Sequence, residues 1–322
     1  MRAPAFWLHG GIWSVALAPL GWAWAAGSAL RERRIRPHHA PIPVVCIGNL
    51  VAGGAGKTPV AISIARLLPA AHFLSRGYGG SSKGPLRVNT ERHSPQDVGD
   101  EPLLLANYAP CWVAADRIAG AKAAAAHHAR CLIMDDGFQD PSLHKDVSLV
   151  IVDGHYGFGS GRCIPAGPLR EPVSRGLRRA TAMVILGHDR HNLAKLAGGL
   201  PVLHAKLEPE AESEALHGQQ VIAFAGIGRP KKFFDSLEAR GAEVLEAYAF
   251  PDHHLYHASE IHELIDLAEK HAAMLITTTK DKVRVPVHLQ DQVAVLRITV
   301  TWEDEAALLK ILAPLLKTEA TG

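Results

Sequence analysis

The chain has 322 residues, 48% of them apolar, enough for sizeable cores, and a length of this order gives a prior of about two domains. Lys and Arg total 34 against 32 for Asp and Glu, a formal net charge of +2, which excludes the global basic excess that drives nucleic-acid binding. Four cysteines, Cys46, Cys111, Cys131 and Cys163, lie far apart without a CxxC spacing and read as buried thiols of a reducing compartment, not as a disulfide framework.

The first thirty residues differ in kind from the rest. Four of the six tryptophans fall here, Trp7, Trp13, Trp22 and Trp24, interleaved with Leu, Ile, Gly, Ala and Pro19, and the cluster Arg31, Arg33, Arg34, Arg36 follows directly. Tryptophan favours the membrane–water interface and a basic cluster meets anionic head groups, so residues 1–36 are expected to form an interfacial helical anchor. Three other readings stand beside it. Ala23-Trp24-Ala25 resembles a signal-peptidase site, the length allows a spanning helix, and a tryptophan-rich helix can simply be core.

Val44–Gly48 is the first strand-like run, and it leads into Gly53-Gly54-Ala55-Gly56-Lys57-Thr58. Glycines let backbone N–H groups turn inward around phosphate oxygens. Lys57 can reach the β- and γ-phosphates of a nucleoside triphosphate such as ATP, and the Thr58 hydroxyl can hold Mg²⁺ at a helix N-terminus. The usual loop has a glycine six residues before the lysine, where this chain has Val51. Pro59 in the first turn suits the helix that follows, over Val60–Leu68. Further strands are expected at 72–74, 112–114, 131–134, 148–152 and 183–186, with an alanine-dense crossover helix over 119–129. Strands alternating with helices predict an α/β fold, a P-loop NTPase-like parallel sheet with helices on both faces.

Asp135-Asp136 closes the fourth of these strands, where a P-loop protein places carboxylates against Mg²⁺, and the turn after it could present Gln139. A solvated acidic strand end is the plainer alternative. Asp100 and Glu101 sit at a helix start, where spacing alone favours capping. Ser75-Arg76-Gly77-Tyr78-Gly79 reads as a strand exit. The segment 167–172 reads as a proline-framed surface turn whose Arg170 could clamp a phosphate or lipid head group.

A polar stretch at 208–214 suggests a boundary near residue 215, dividing a kinase-like domain over 37–215 from a smaller α/β domain over 216–322. The second unit is expected to carry strands at 221–225, 243–248, 274–278 and 293–298, with helices near 231–239, 259–270 and 303–316. Its Phe250-Pro251-Asp252-His253-His254-Leu255-Tyr256 run places an Asp beside histidines, which could also suggest a metal, but no ligand set at zinc spacing accompanies it.

In order and spacing, Gly48-Asn49-Leu50 with the glycine loop, Ser75 to Gly79, Gly99-Asp100-Glu101-Pro102, Asp135-Asp136-Gly137-Phe138-Gln139, Gly167-Pro168-Leu169-Arg170-Glu171 and Phe250 to Tyr256 resemble the tetraacyldisaccharide 4′-kinase (lipid A 4′-kinase) family of Gram-negative bacteria over nearly the whole chain. The resemblance implies transfer of the γ-phosphate of ATP to the 4′-hydroxyl of a tetraacylated glucosamine disaccharide 1-phosphate, giving lipid IVA. It also implies two α/β/α domains joined by a short β-linker that closes over nucleotide. Asp100 and His253 would be the catalytic pair, with Lys57, Arg170 and Tyr78 in the site. The enzyme would act at the cytoplasmic face of the inner membrane, as a peripheral or monotopic protein with no obligate protein partner.

Two positions depart from the family pattern, Asp140 where a His is usual and Thr279 where a Glu is usual. The rival is a membrane-bound P-loop ATPase of the partitioning type. Such proteins carry a lysine just before the Gly-Gly pair, where this chain has Ala52.

Overall fold

The computed structural model describes residues 4–210 and 216–316. Two sheets carry the chain. The strands are β1 Val44–Gly48, β2 Ala71–Ser75, β3 Leu86–Arg87, β4 Cys111–Val113, β5 Cys131–Asp135, β6 Val147–Asp153, β7 Ala182–Leu186, β8 Val202–Pro209, β9 Gln220–Ala225, β10 Glu243–Ala249, β11 Met274–Thr278, β12 Ala294–Leu296 and β13 Ile298–Trp302. Nine form one sheet in the order β13-β8-β7-β6-β1-β5-β2-β4-β3, and four form another in the order β10-β9-β11-β12.

The large sheet is parallel except at its two edges, where β3 and β13 pair antiparallel to β4 and β8. All five residues of β1 are buried, as expected for a strand covered on both faces. Alternate residues serve the two layers. Val45 and Ile47 pack with Val60, Ile64, Leu103, Leu105, Leu308 and Leu312, which come from the helices Lys57–Leu67, Asp100–Ala106 and Glu305–Leu316. Val44 and Cys46 pack the other way, against Ala121 and Ala124 of the helix Arg117–Ala126 and against Phe138, Leu143 and Leu169. All four cysteines are buried free thiols, and burial raises the proton affinity of each.

The expected strands appear with ends shifted by a residue or so, but β3 and β8 add to them. The single strand expected over 293–298 is two strands. β12 extends the small sheet, and after Arg297 the chain crosses to the large sheet as β13. Residues 298–316 therefore pair and pack with the larger sheet, with Val300, Leu308, Leu312 and Leu315 in its core. The boundary expected near residue 215 lies outside the described residues.

Residues 6–34 form the helices Phe6–His9, Ile12–Ala16 and Ala18–Arg34. They dock on the rest of the protein by small residues, Ser14, Ala18 and Gly21 being buried, while their large side chains are not core: Trp13 and Trp22 are 66% and 73% exposed. Among the described residues no helix is long and apolar enough to cross a membrane.

Candidate active site

β1 and β5 are neighbours, so the loops leaving their carboxyl ends lie side by side, where parallel sheets bind ligands. The loop after β1 begins as an extended segment. Val51 bridges Leu169, Ala52 N–H donates to the Pro168 carbonyl and Arg170 N–H to the Leu50 carbonyl. Here lies the reason for a valine where the usual loop has glycine: the position is strand-like and needs no turn. It also corrects the reading of 167–172 as a surface turn, since Leu169 is fully buried and Glu171 nearly so.

The glycines take over next. Gly53 and Gly56 have φ of +120° and +79°, the left-handed side that side chains avoid. A Cβ on Gly53 or Gly54 would meet no atom within 4 Å, so the loop's outer face is open to a ligand, and the surface beside Gly54, Ala55 and Gly56 holds a cavity of about 360 Å³. A larger concavity of about 570 Å³, lined by Ile265, Met274 and Val293, lies on the small sheet with no member of the loop in its wall, and chemistry rather than size identifies the site. Gly56 caps the helix Lys57–Leu67, whose N-terminus faces the loop and favours anions.

Lys57 Nζ stands 3.5 Å from Asp136 Oδ1, and Arg170 grips the same carboxylate with two nitrogens at 2.8 and 3.1 Å. Asp136 sits at φ +53°, and both cations hold its carboxyl below the usual range against the opposing effect of burial. Asp135 differs. Thr58 Oγ1 is 3.5 Å from its Oδ2, its Oδ1 is buried with no hydrogen-bond partner, and desolvation pushes its proton affinity up to about 7 despite Lys57. An orphaned buried carboxylate oxygen beside a hydroxyl is a hard-oxygen donor set that Mg²⁺ would complete.

Gln139 faces the protein. Its amide donates to the Asn49 carbonyl and to Glu171, and its carbonyl accepts from Arg170 Nη1 at 3.2 Å. Tyr78 is 84% exposed. Asp140 braces its own turn, accepting from Ser142 N–H and Oγ, with Arg117 at 3.7 Å.

Asp100 opens the helix Asp100–Ala106, but its side chain makes no capping bond. The capping box nearby, Ser94 with Asp97, serves the preceding short helix Pro95–Val98, and the N-cap of the helix Asp100–Ala106 is Gly99. Asp100 is 8% exposed, and its Oδ2 accepts from His253 Nδ1 at 2.8 Å. An ionised carboxylate only accepts, so Nδ1 is the donor in this pair, and Nε2 on the far side of the ring lies 4.0 Å from Asp252 Oδ1.

His253 comes from the loop after β10, and its backbone is strained at φ +60°. Its N–H donates to the Gly226 carbonyl at 3.1 Å, and the fully buried Arg284 braces that same carbonyl. Arg284 donates to the Gly226 and His254 carbonyls, pairs with Asp281 at 3.0 Å and reaches Asp100 Oδ2 at 3.4 Å. Asp281 in turn accepts from Gly226 N–H, Tyr256 and Thr278. Lys280 pairs with Glu101 at 2.9 Å; burial pushes the Glu101 carboxyl up, but the ammonium outweighs it and holds it below its ordinary value.

Sequence reasoning did not find Arg284, Lys280 or Glu171. Among the described residues no cluster of three or more His, Cys, Asp or Glu is placed to hold a metal ion.

The sequence model of a family described as Tetraacyldisaccharide-1-P 4′-kinase matches residues 13–317. The tetraacyldisaccharide 4′-kinase of Rhodospirillum centenum is 52% identical over 98% of this chain and 97% of its own length, and that of Paramagnetospirillum magneticum is 51% identical over 96% and 97%. A crystal structure of LpxK from Aquifex aeolicus in complex with ATP superposes with a TM-score of 0.80 at 28% identity, covering 94% of this chain and 99% of that one.

Proposed function

The chain belongs to the tetraacyldisaccharide-1-P 4′-kinase family, and from that premise we propose a division of labour among its residues. The protein is an ATP-dependent kinase that transfers the γ-phosphate to the 4′-hydroxyl of a tetraacylated disaccharide 1-phosphate, forming lipid IVA. The partitioning-type ATPase finds no support in the comparisons, and Ala52 stands where such a protein has its lysine.

Thr58 and Asp135 would hold Mg²⁺, which when bound neutralises charge across the phosphates. The loop from Gly53 to Gly56 cradles the phosphates by backbone N–H groups, and Lys57 and Arg170 carry the charge that develops on the transferring group. Gln139 braces Arg170 and is not itself a ligand, while Tyr78 lines the open approach. Asp100 takes the proton from the 4′-hydroxyl as its oxygen bonds to the γ-phosphorus and the bond to the β-phosphate oxygen breaks. His253, donating through Nδ1, orients that carboxylate. The single observation carrying this reading is the 2.8 Å bond between Asp100 and His253, because it joins groups from two sheets beside the phosphate cradle.

The working units are the segment 1–36, a larger domain from 37 and a smaller one from 216, with 298–316 counted in the larger. The segment 1–36 is an interfacial anchor. Its inward row runs Ser14, Ala18, Gly21, Ala25, Ser28 and Glu32, and a Cβ on Gly21 would lie 2.8 Å from the Cys163 carbonyl. Large residues such as Trp13, Leu20 and Trp22 face out. Small residues inside and tryptophans outside invert the pattern of a water-facing helix and suit a lipid surface. With Arg31, Arg33 and Arg34 beside it, this favours a peripheral site on the inner membrane, on the cytoplasmic face where ATP is found.

Incubating the protein with ATP and the tetraacyl disaccharide 1-phosphate should add one phosphate by mass. No added phosphate overturns the activity. Trp13→Ala with Trp22→Ala should release the protein from anionic vesicles, and unchanged sedimentation with vesicles overturns the anchor.

A further inference from the structure

Glu32 is the only acidic residue among the first 36, and it stands in the last turn of its helix among Arg31, Arg33 and Arg34. A carboxylate is disfavoured at a helix C-terminus, where the backbone dipole is negative. It ends the inward row, and its partners lie far along the chain. Arg175 pairs with it while also donating to the Ala25 and Ser28 carbonyls, and Arg179 Nη1 donates to it at 2.6 Å.

Arg179 is the pivot. Its other nitrogen binds both oxygens of Glu171, a carboxylate only 2% exposed, and its guanidinium lies 4.7 Å above the Phe138 ring. A buried carboxylate needs such partners, and Glu171 has one more in Gln139 at 3.2 Å. Gln139 accepts from Arg170, and Arg170 holds Asp136, which Lys57 also faces. Independently, Trp24 Nε1 donates to the Arg170 carbonyl at 2.9 Å. The helix that presents tryptophans to lipid is thus bonded both to the backbone of Arg170 and, through Arg179, Glu171 and Gln139, to its side chain.

Resting on the kinase reading, we infer that Glu32 is a positioning residue for phosphoryl transfer: through Arg179, Glu171 and Gln139 it sets Arg170 against Asp136, so that the membrane-facing helix adjusts the phosphate site. A purely adhesive Glu32 would alter vesicle binding or stability alone. A relay alters the chemical step, because misplacing an electrostatic partner by a fraction of an ångström lowers kcat.

The test uses the full chain with phosphatidylethanolamine–phosphatidylglycerol vesicles carrying the acceptor. Glu32→Gln keeps Trp24 and the Arg175 contacts to Ala25 and Ser28. It should lower kcat about tenfold, leave acceptor KM and vesicle binding within about twofold, and reduce the rise in Tm that ATP produces. Arg179→Lys, which alters the next link while every residue of the helix stays in place, should do the same, and Glu32→Gln should cost nothing further in an Arg170→Lys background. Wild-type kcat and a wild-type ATP-induced Tm rise in both Glu32→Gln and Arg179→Lys overturn the relay. So does a kcat loss that tracks release from vesicles and multiplies with Arg170→Lys. Failure of the wild-type protein to phosphorylate the acceptor overturns the kinase reading instead, and the ATP-induced Tm rise then still decides whether Glu32 reaches the nucleotide site.

Discussion

The half of the site built on the nine-stranded sheet and the half carried by the four-stranded sheet are held by different kinds of contact. Lys57, Thr58, Asp135 and Asp136 leave adjacent strands and are fixed by backbone: an open glycine loop, a helix N-terminus, a bridge from Val51 to Leu169. His253 reaches the site on a strained loop braced by one buried arginine and the carboxylate behind it. A site made this way can have its phosphate grip ready while its proton acceptor is completed only when the second sheet is in position. On the proposed division of labour, ATP held without acceptor would thereby be less exposed to wasteful attack by water.

Changes in the second half should show that fragility most strongly. Arg284→Met leaves Asp281 and Asp100 without their buried cation, and breaking such a pair costs about 3–5 kcal/mol. Thermal unfolding should show a large fall in Tm. An unshifted Tm means that the loop carrying His253 is held by something else. Next is Lys57→Ala in the first half, which should lower kcat about 10²–10³-fold with little change in Tm, since it removes an electrostatic partner of the transferring phosphate. Near-normal turnover at saturating ATP would refute the phosphate-cradle assignment.

A smaller effect separates the sheets by pH. His72 on β2 accepts from Trp112 Nε1 at 3.2 Å, and burial pulls its pKa down to about 4. The unfolded chain takes up this proton near pH 6.5 while the folded chain refuses it until about 4, so the unfolded state binds more protons between those values. Stability is complete above about 6.5 and falls as pH drops towards 4, by up to roughly 3 kcal/mol. Hydrogen exchange should show the large sheet losing protection over that window, and His72→Gln should flatten the loss. A loss confined to the small sheet contradicts the assignment.

The same contrast governs what the sequence disclosed. The phosphate half was legible because its residues are contiguous or end predictable strands, and the small sheet's strands were read by their apolar runs. His253 was not legible from spacing, since an Asp-His-His run carries no mark of its partner 153 positions away; only resemblance paired it with Asp100. Arg284 and the Glu32 contacts lie between residues distant in the chain and could not be seen at all. The proline-framed turn at 167–172 hid its burial because the strand-like partner, Val51, sits in a loop that glycine pattern alone describes. The β12–β13 crossing was missed because 293–302 is one unbroken strand-like run whose change of sheet at Arg297 leaves no local signal.

The central claim, that one carboxylate and one imidazole from different sheets act as a unit, is tested by kcat and Tm for Asp100→Asn, His253→Ala and the double variant. If they are one unit, each single change lowers kcat strongly, the double is little worse than either, and ATP affinity and Tm hardly move, because the second change removes nothing still working. Rate losses that multiply in the double variant, accompanied by lowered Tm in each, would contradict the account and leave the 2.8 Å bond as an interdomain fastening.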